Sequence, residues 1–199
     1  MPRAKQRTPE LRERVLRVAV ATLADEGVAG FTTRKVAEQA DTSIPAVYEL
    51  FGAKGGLVRE VFFEGFRQMG ARFTRLRQTD DPRADVVRLA GAIRAFAADN
   101  PELAAVMFSR PFADFDPGPA EREAGRFTRE FILARVRRCI DSGLFRADVD
   151  AVDAAHAFLA LVHGLIGQEH AGILGTTKRS VDRRWALALN ALLDGLAPR

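Results

Sequence analysis

Apolar side chains recur every three to four residues along almost the whole chain. Near the N-terminus, for example, they form one stripe of Leu11, Val15, Val18, Ala19 and Leu23. Alternating runs of β-branched residues, which would indicate strands, are absent from the sequence. Because this spacing is that of one face of an α-helix, the pattern predicts an all-α protein.

Helix start and stop signals divide this pattern into nine predicted helices. Ser, Thr, Asp and Asn favour the position before a helix, Pro is tolerated in the first turn, and Gly ends helices. Asp148 or Asp150 is predicted to cap the eighth helix and Ser180 the ninth, while Pro and Gly make residues 111–120 a loop. The predicted helices cover about residues 9–26, 33–40, 44–50, 54–77, 82–98, 101–110, 121–142, 151–174 and 181–196.

The composition, 47% hydrophobic and 28% charged over 199 residues, is that of a globular protein long enough to bury a core. This length suits one domain, or a small domain that shares a core with a larger one. The single cysteine, Cys139, excludes an intrachain disulfide and suits a reducing compartment. There is no apolar signal-peptide region, and no run approaches the roughly 20 apolar residues of a membrane span. We therefore expect a cytoplasmic protein without a membrane partner.

The net charge of +4 is modest, but its position is informative. Residues 1–17 contain six Lys or Arg side chains and two Glu, so they account for the whole excess. A basic N-terminal arm of this kind is either a solvated tail or a segment that contacts nucleic-acid phosphate. Arg7 is the candidate phosphate contact in the arm.

The segment from Phe31 to Lys54 predicts two short helices joined by a tight turn. Ala37 is small enough for the two helices to cross closely, and Asp41 tolerates the left-handed backbone that the turn needs. Ser43 is predicted to cap the second helix, with a proline in its first turn. This order is typical of a helix-turn-helix, whose second helix can enter the major groove of DNA. A generic helical hairpin is the alternative.

The second short helix has only about two turns, so its stability depends on packing against its neighbours. Val47 and Phe51 are predicted to face inward, whereas Ile44, Ala46, Tyr48, Glu49 and the turn hydroxyls face outward. Hydroxyl groups suit phosphate contacts, and small apolar groups suit thymine methyl groups. The predicted DNA-binding residues are Arg7, Thr32, Thr33, Arg34, Lys35, Thr42, Ser43, Ile44, Ala46, Val47, Tyr48 and Lys54.

Over about residues 9–60 the chain resembles the tetracycline-repressor (TetR) family of bacterial regulators. The matching stretches are ADEGVAGFT, TTRKVAEQA, SIPAVYELF and GAKGGLVREVF. The chain differs from the family pattern at Asp41, where Gly is usual, at Ala46, where Thr is common, and at Glu49 and Leu50, where aromatic or His residues are common. These differences lie in the helix-turn-helix, the DNA-binding head of the family, so the resemblance does not predict the operator sequence.

The resemblance implies a helix-turn-helix DNA-binding domain at residues 1–53 and a helical ligand-binding and dimerisation domain at residues 54–199. The helix that begins at Lys54 would join the two. Residues 161–165, LVHGL, resemble a Trp-His-Gly-type element of one family subgroup, with Val162 in place of Trp. The expected function is that of a dimeric repressor released from palindromic operator DNA by a small-molecule effector. A DNA-binding activator or a ligand-independent regulator is an alternative that the sequence does not distinguish from a repressor.

Aromatic and Met side chains in the C-terminal region could line an apolar pocket, which would favour a lipophilic ligand. The same residues at helical spacing could also be ordinary core. The predicted ligand-binding residues are Phe96, Met107, Phe108, Phe112, Phe115, Phe158 and His163.

The last two predicted helices are apolar over more than one face, so each needs more than one neighbour. A homodimer with a four-helix interface, two helices from each protomer, would bury these additional apolar faces. It would also present two recognition helices to the two half-sites of a DNA operator. A larger monomer core is the alternative.

No metal, cofactor or catalytic site is predicted. His156, His163 and His170 are seven residues apart, which puts neighbouring histidines roughly 10 Å apart along a helix, too far for one ion. A helical ligand-binding protein or enzyme with an incidental N-terminal hairpin is the alternative function, but the sequence contains no recognisable catalytic motif.

Overall fold

The computed structural model describes residues 8–109, 112 and 118–198. Within these residues the chain forms ten helices and no strand, which confirms the all-α prediction. The helices are α1 (Pro9–Gly30), α2 (Thr33–Gln39), α3 (Ile44–Phe51), α4 (Lys54–Phe73), α5 (Pro82–Asp99), α6 (Pro101–Phe108), α7 (Pro119–Ala124), α8 (Arg126–Asp141), α9 (Ala151–His170) and α10 (Lys178–Leu196).

Four of the predicted helix boundaries are wrong. The helix predicted to continue to about residue 77 ends at Phe73. The single helix predicted at 121–142 is two helices, because α7 ends at Ala124 with Gly125 as its C-cap, and α8 begins at Arg126. The helix predicted to continue to residue 174 ends at His170. The predicted cap Ser180 lies one turn inside α10, whose N-cap is Thr177. The two side chains hydrogen-bond each other's backbone N–H, at 3.2 Å and 3.1 Å, so that Ser180 supports the cap from within the helix.

The chain divides into two compact units. The first comprises the described residues of Met1–Gln68 and Asn100–Gly125, and the second those of Met69–Asp99 and Arg126–Arg199. Helices α6 and α7 therefore group with the N-terminal helices, although they follow α5 in sequence. The boundary predicted at residues 53 and 54 concerns function and stays a prediction.

In the first unit, α1 packs against α2 and α6, and α2 packs against α3. The backbone of α1 leaves the helical region at Gly27, which has a φ of 66°, where the sequence predicts the helix to stop. The core of this unit, to which the first half of α4 also contributes, is apolar and almost fully buried: Val15, Ala19, Leu23, Phe31, Val36, Ala37, Val47, Leu57 and Val61.

In the second unit, α9 packs against α5, α8 and α10, and α5 also packs against α8. A buried carboxylate, Asp85, holds the segment between α4 and α5. It accepts hydrogen bonds from the backbone N and Oγ1 of Thr79 at 3.0 Å and 2.9 Å, and it pairs with Arg88 and Arg138. Burial raises the pKa of Asp85, but these hydrogen bonds outweigh it, so the pKa is lowered and the carboxylate stays charged.

Helix α9 is the one helix among the described residues that is long and apolar enough to cross a membrane, with a mean hydropathy of 1.2. The prediction that no run approaches this length is therefore wrong for α9. Length and composition alone are weak evidence for a span, because core helices of soluble proteins also meet these criteria. Only 28% of its most apolar window is buried within the chain, although α9 has three neighbouring helices.

Candidate nucleic-acid interface

Helix α2 is fixed to the rest of the first unit by polar contacts at both ends. Oγ1 of Thr32 accepts a hydrogen bond from the backbone N of Lys35 at 3.3 Å and so caps the helix. Oγ1 of Thr22 in α1 donates to Oε1 of Gln39 at 2.7 Å. Lys35 forms an ion pair with Glu26, so its ammonium group already has an anionic partner.

The turn between α2 and α3 has the predicted geometry. Asp41 adopts a φ of 47°, and it is the one non-glycine residue with positive φ in the described part of the chain. The backbone N of Thr42 donates to the carbonyl of Ala37 at 2.9 Å, which closes the turn. Oγ of Ser43 accepts from the backbone N of Ala46 at 3.3 Å, which confirms Ser43 as the N-cap of α3.

Helix α3 has a buried face and an outer face. Val47 and Phe51 are buried, as predicted. Ala46 is also buried, with 8% of its surface exposed, so the prediction that it faces outward is wrong. Tyr48 is 46% exposed and is the most prominent apolar group on the outer face. The outer face of α3 is therefore carried by Tyr48 and Glu49, with Ile44 half-buried beside them.

The remaining predicted DNA-binding residues differ in exposure. Thr32, Arg34 and Lys54 are exposed, while Lys35, Thr42 and Ser43 are half-buried. Thr33 is buried, so with Ala46 and Val47 it supports the surface from behind. Arg7 lies outside the described residues.

Lys54 lies at the N-terminus of α4, next to a pair of aromatic rings. Its Nζ is 5.4 Å from the ring centroid of Phe112 and 6.0 Å from that of Phe31, and the two rings meet edge to face at 5.5 Å. Aromatic faces attract an ammonium group, so they restrain this exposed lysine without neutralising its charge. Lys54 is thus available to contact a phosphate, as are the backbone N–H groups at the start of α4.

The predicted ligand-binding residues are divided between the two units. In the first unit, Met107 packs where Gly65 lacks a side chain, Phe112 packs on Phe31, and Phe108 is half-buried. In the second unit, Phe96 and Phe158 are buried, and burial lowers the pKa of His163. Phe115 lies outside the described residues. The structure therefore does not gather these side chains within one unit, and their role stays a prediction.

A cavity of about 440 Å³ lies between α8 and α9, in the second unit, and was not predicted from the sequence. None of the predicted ligand-binding residues lines it. The signal in the sequence is that the lining residues follow helical spacing on both helices. They are Arg126, Arg129, Glu130, Ile132 and Leu133 of α8, and Val152, Ala155, His156 and Leu159 of α9.

Two family models match this chain. The model described as "Bacterial regulatory proteins, tetR family" matches residues 15–61, which include the whole helix-turn-helix. The model described as "Tetracyclin repressor-like, C-terminal domain" matches residues 86–192, more than half of the chain.

Among curated proteins, the chain is 23% identical over 147 residues to the HTH-type transcriptional regulator Rv1816 of Mycobacterium tuberculosis. The match covers 72% of this chain and 62% of that regulator, so the chain spans less than two thirds of the length of this relative.

Solved structures share the fold over nearly the whole chain. A protein of unknown function from Rhodococcus sp. RHA1 is 26% identical, with a TM-score of 0.81 and full coverage of both chains. The transcriptional regulator FadR from Bacillus subtilis, solved in complex with stearoyl-CoA, is 15% identical with a TM-score of 0.72, covering 92% of this chain and 98% of that one. At that identity FadR shows the fold alone. From the two family models together, the chain belongs to the TetR family of DNA-binding transcriptional regulators, and it is not an enzyme.

Proposed function

We propose that this regulator is a dimeric repressor that leaves a palindromic operator when a small lipophilic ligand binds in the region after residue 54. The observation that carries the proposal is the outer face of α3, a capped helix on which Tyr48 is 46% exposed and which is followed by the exposed Lys54 at the start of α4. Helix α3 would read the major groove, and Lys54 and the backbone at the start of α4 would bind phosphate.

The dimer is proposed to form through α9 and α10. The outer side of α9 presents a row of small exposed residues, Ala157, Ala160, Gly164 and Gly167. A Cβ atom added at either glycine would meet nothing within 4 Å among the described residues, so a partner helix has room to approach closely there. On α10, Leu187 is 69% exposed, which is unusual for a leucine unless another surface covers it.

A lipophilic ligand is supported by the burial of the aromatic side chains of Phe96 and Phe158 in the second unit. The stearoyl-CoA complex of B. subtilis FadR supports the same class, because it shows that this fold can hold a long acyl chain. Ligand and DNA would select different conformations of the dimer, so each would weaken the binding of the other.

The proposal is tested by fluorescence anisotropy with labelled DNA from upstream of the protein's own gene and with a scrambled sequence of equal length. We expect at least 100-fold tighter binding to the upstream DNA and a steep loss of affinity with salt, with a slope of about −0.9 per neutralised phosphate. Equal affinity for both DNAs would contradict operator recognition by this head.

The same assay with stearoyl-CoA and palmitate as probes tests the ligand class. Release of the upstream DNA by either lipid, but not by coenzyme A alone, supports a lipophilic effector. Transcription from the upstream promoter in vitro then distinguishes a repressor from an activator, because only a repressor lowers transcript yield in the absence of lipid.

A further inference from the structure

The cavity between α8 and α9 is a groove with an apolar floor and a charged rim. Its lining comes from residues 126, 129, 130, 132 and 133 of α8, and from residues 152, 155, 156 and 159 of α9, which follow the spacing i, i+3, i+4, i+7. Ile132 and Ala155 are buried at its floor, and Leu133 and Leu159 are half-buried. An apolar strip to which two neighbouring helices contribute is the kind of surface that an additional amphipathic helix packs against.

The groove is continuous with the outer face of α9 that we propose as the dimer interface. Val152 and His156 line the groove, and Asp153 and Ala157, which follow each of them in sequence, are exposed on the same side of the helix as Ala160. Val152 is 44% exposed, although it sits beside this apolar floor. A partner helix that crosses the outer face of α9 near its N-terminus would therefore reach the groove.

The rim of the groove carries charges of both signs. Arg126 and Glu130 form an ion pair at 3.2 Å in which both side chains are more than half exposed, and Arg129 lies beside them. An exposed pair of this kind contributes little stability, so its members can exchange partners. In a two-fold symmetric contact the same surface meets itself, and a rim with both signs can then pair Arg126 of one protomer with a carboxylate of the other.

We infer that a second copy of this chain covers the groove, so that the dimer interface extends from α9 and α10 onto α8. The inference rests on the dimer of the proposed function and goes beyond it, because α8 would then take part in holding the protomers together. A small amphipathic ligand is the other possible occupant, and the experiment below separates the two.

Cysteine labelling can test whether the groove is covered, because the native Cys139 is buried and burial raises the pKa of its thiol to about 11. The variants Val152→Cys and Val87→Cys place a thiol at two valines of similar exposure, 44% in the groove and 40% on α5. Each full-length variant is reacted with a maleimide at a concentration where light scattering reports a dimer, and again after dilution to the monomer.

We expect Val152→Cys to react at least tenfold more slowly than Val87→Cys in the dimer and at a similar rate in the monomer. Equal rates in the dimer would overturn the inference and leave the groove open to a small ligand, while the dimer itself would stand. Slow reaction of Val152→Cys in both states would also overturn it, since the protection would not come from the partner. If light scattering reports only monomer at every concentration, the proposed dimer fails, and this inference fails with it.

A second measurement does not depend on labelling. Val152→Glu places a charge in the groove, and Val87→Glu is its matched control. We expect Val152→Glu to weaken dimerisation at least tenfold and Val87→Glu to leave it within twofold, with the helical circular dichroism of both variants unchanged. The same dissociation constant for the two variants would overturn the inference.

Discussion

The outer faces of α3 and α9 differ in almost every respect. The face of α3 belongs to a helix of eight residues and presents Tyr48 and Glu49, whereas the face of α9 belongs to a helix of 20 residues and presents alanines and glycines. A polar and aromatic surface can contact phosphate and base edges, which vary in chemistry along DNA. A surface of alanines and glycines lets another helix approach closely, but it has no side-chain polar or aromatic groups of the kind that contact DNA. The composition of an exposed face thus indicates the kind of partner that it suits.

The largest expected effect comes from filling the face of α9. Gly164→Leu puts a large side chain where the chain itself leaves open space, so the protomer keeps its fold, but a partner helix would collide with it. Overpacking typically costs about 1–3 kcal/mol per site, and a dimer contains two sites, so we expect a loss of about 2–6 kcal/mol in dimer stability. Light scattering over a dilution series measures it.

Gly91→Leu is the control for this substitution, because Gly91 is exposed on α5 and also has open space around it. Both variants should gain slightly in helix stability, since glycine is a poor helix former. Equal dimer stability in the two variants would show that the small-residue face of α9 is not the contact.

A smaller effect is expected from the outer face of α3. Tyr48→Ala removes the most exposed aromatic group of the head without touching the buried Val47 or Phe51. We expect upstream DNA to bind about 1–3 kcal/mol more weakly, as for the loss of one good base contact, while dimerisation is unchanged. Anisotropy and light scattering on the same sample separate the two quantities. Unchanged DNA affinity would mean that α3 is not the reading helix.

Lys54→Ala should weaken the affinity for DNA only through the loss of one positive charge. We expect a weakening of about 1 kcal/mol at physiological salt that is the same for operator and scrambled DNA, and a salt slope about one unit shallower. Lys178→Ala is the control, because Lys178 also begins a helix and is exposed, but lies in the second unit. A salt slope that stays the same in Lys54→Ala would exclude a phosphate contact at this position.

The smallest effect is expected from the cap of α3. Ser43→Ala removes the acceptor for the backbone N of Ala46 and should cost roughly 0.5–1 kcal/mol. Because α3 is short, we expect faster amide hydrogen exchange across α3 with little change in α10. Thr177→Ala, which removes the cap of α10, should show the opposite pattern. Faster exchange spread equally over both units in either variant would argue against this local role.

The head could be predicted from sequence because its signals are local. The left-handed turn residue, the Ser cap and the glycine stop lie within 12 residues of one another, from Asp41 to Gly52, and each acts on the backbone next to it. Val47 and Phe51 follow the helical period, so their burial could be predicted too. The burial of Ala46 could not be predicted, because a methyl group is compatible with either face of the helix and only packing against the neighbouring helices decides its exposure.

The C-terminal half was harder to predict from sequence. Two residues compete to cap its last helix, and other features depend on how whole helices pack. Thr177 and Ser180 can both cap a helix, and the reciprocal bonds between them decide in favour of the longer helix. The division at Gly125 separates two helices that follow each other directly, and the groove depends on how the consecutive helices α8 and α9 pack, which helical spacing alone does not fix. No local pattern shows that α6 joins the unit of α1, since these helices are more than 70 residues apart.

The contact between α1 and α6 also matters to anyone who would use this head as an interchangeable part. A fusion that carried only residues 1–53 into another regulator would remove α6 from the side of α1 and expose the apolar residues that it covers. A transferable head needs Met1–Gln68 together with Asn100–Gly125, two stretches separated by α5. Modular exchange in this architecture therefore requires three splice junctions rather than one.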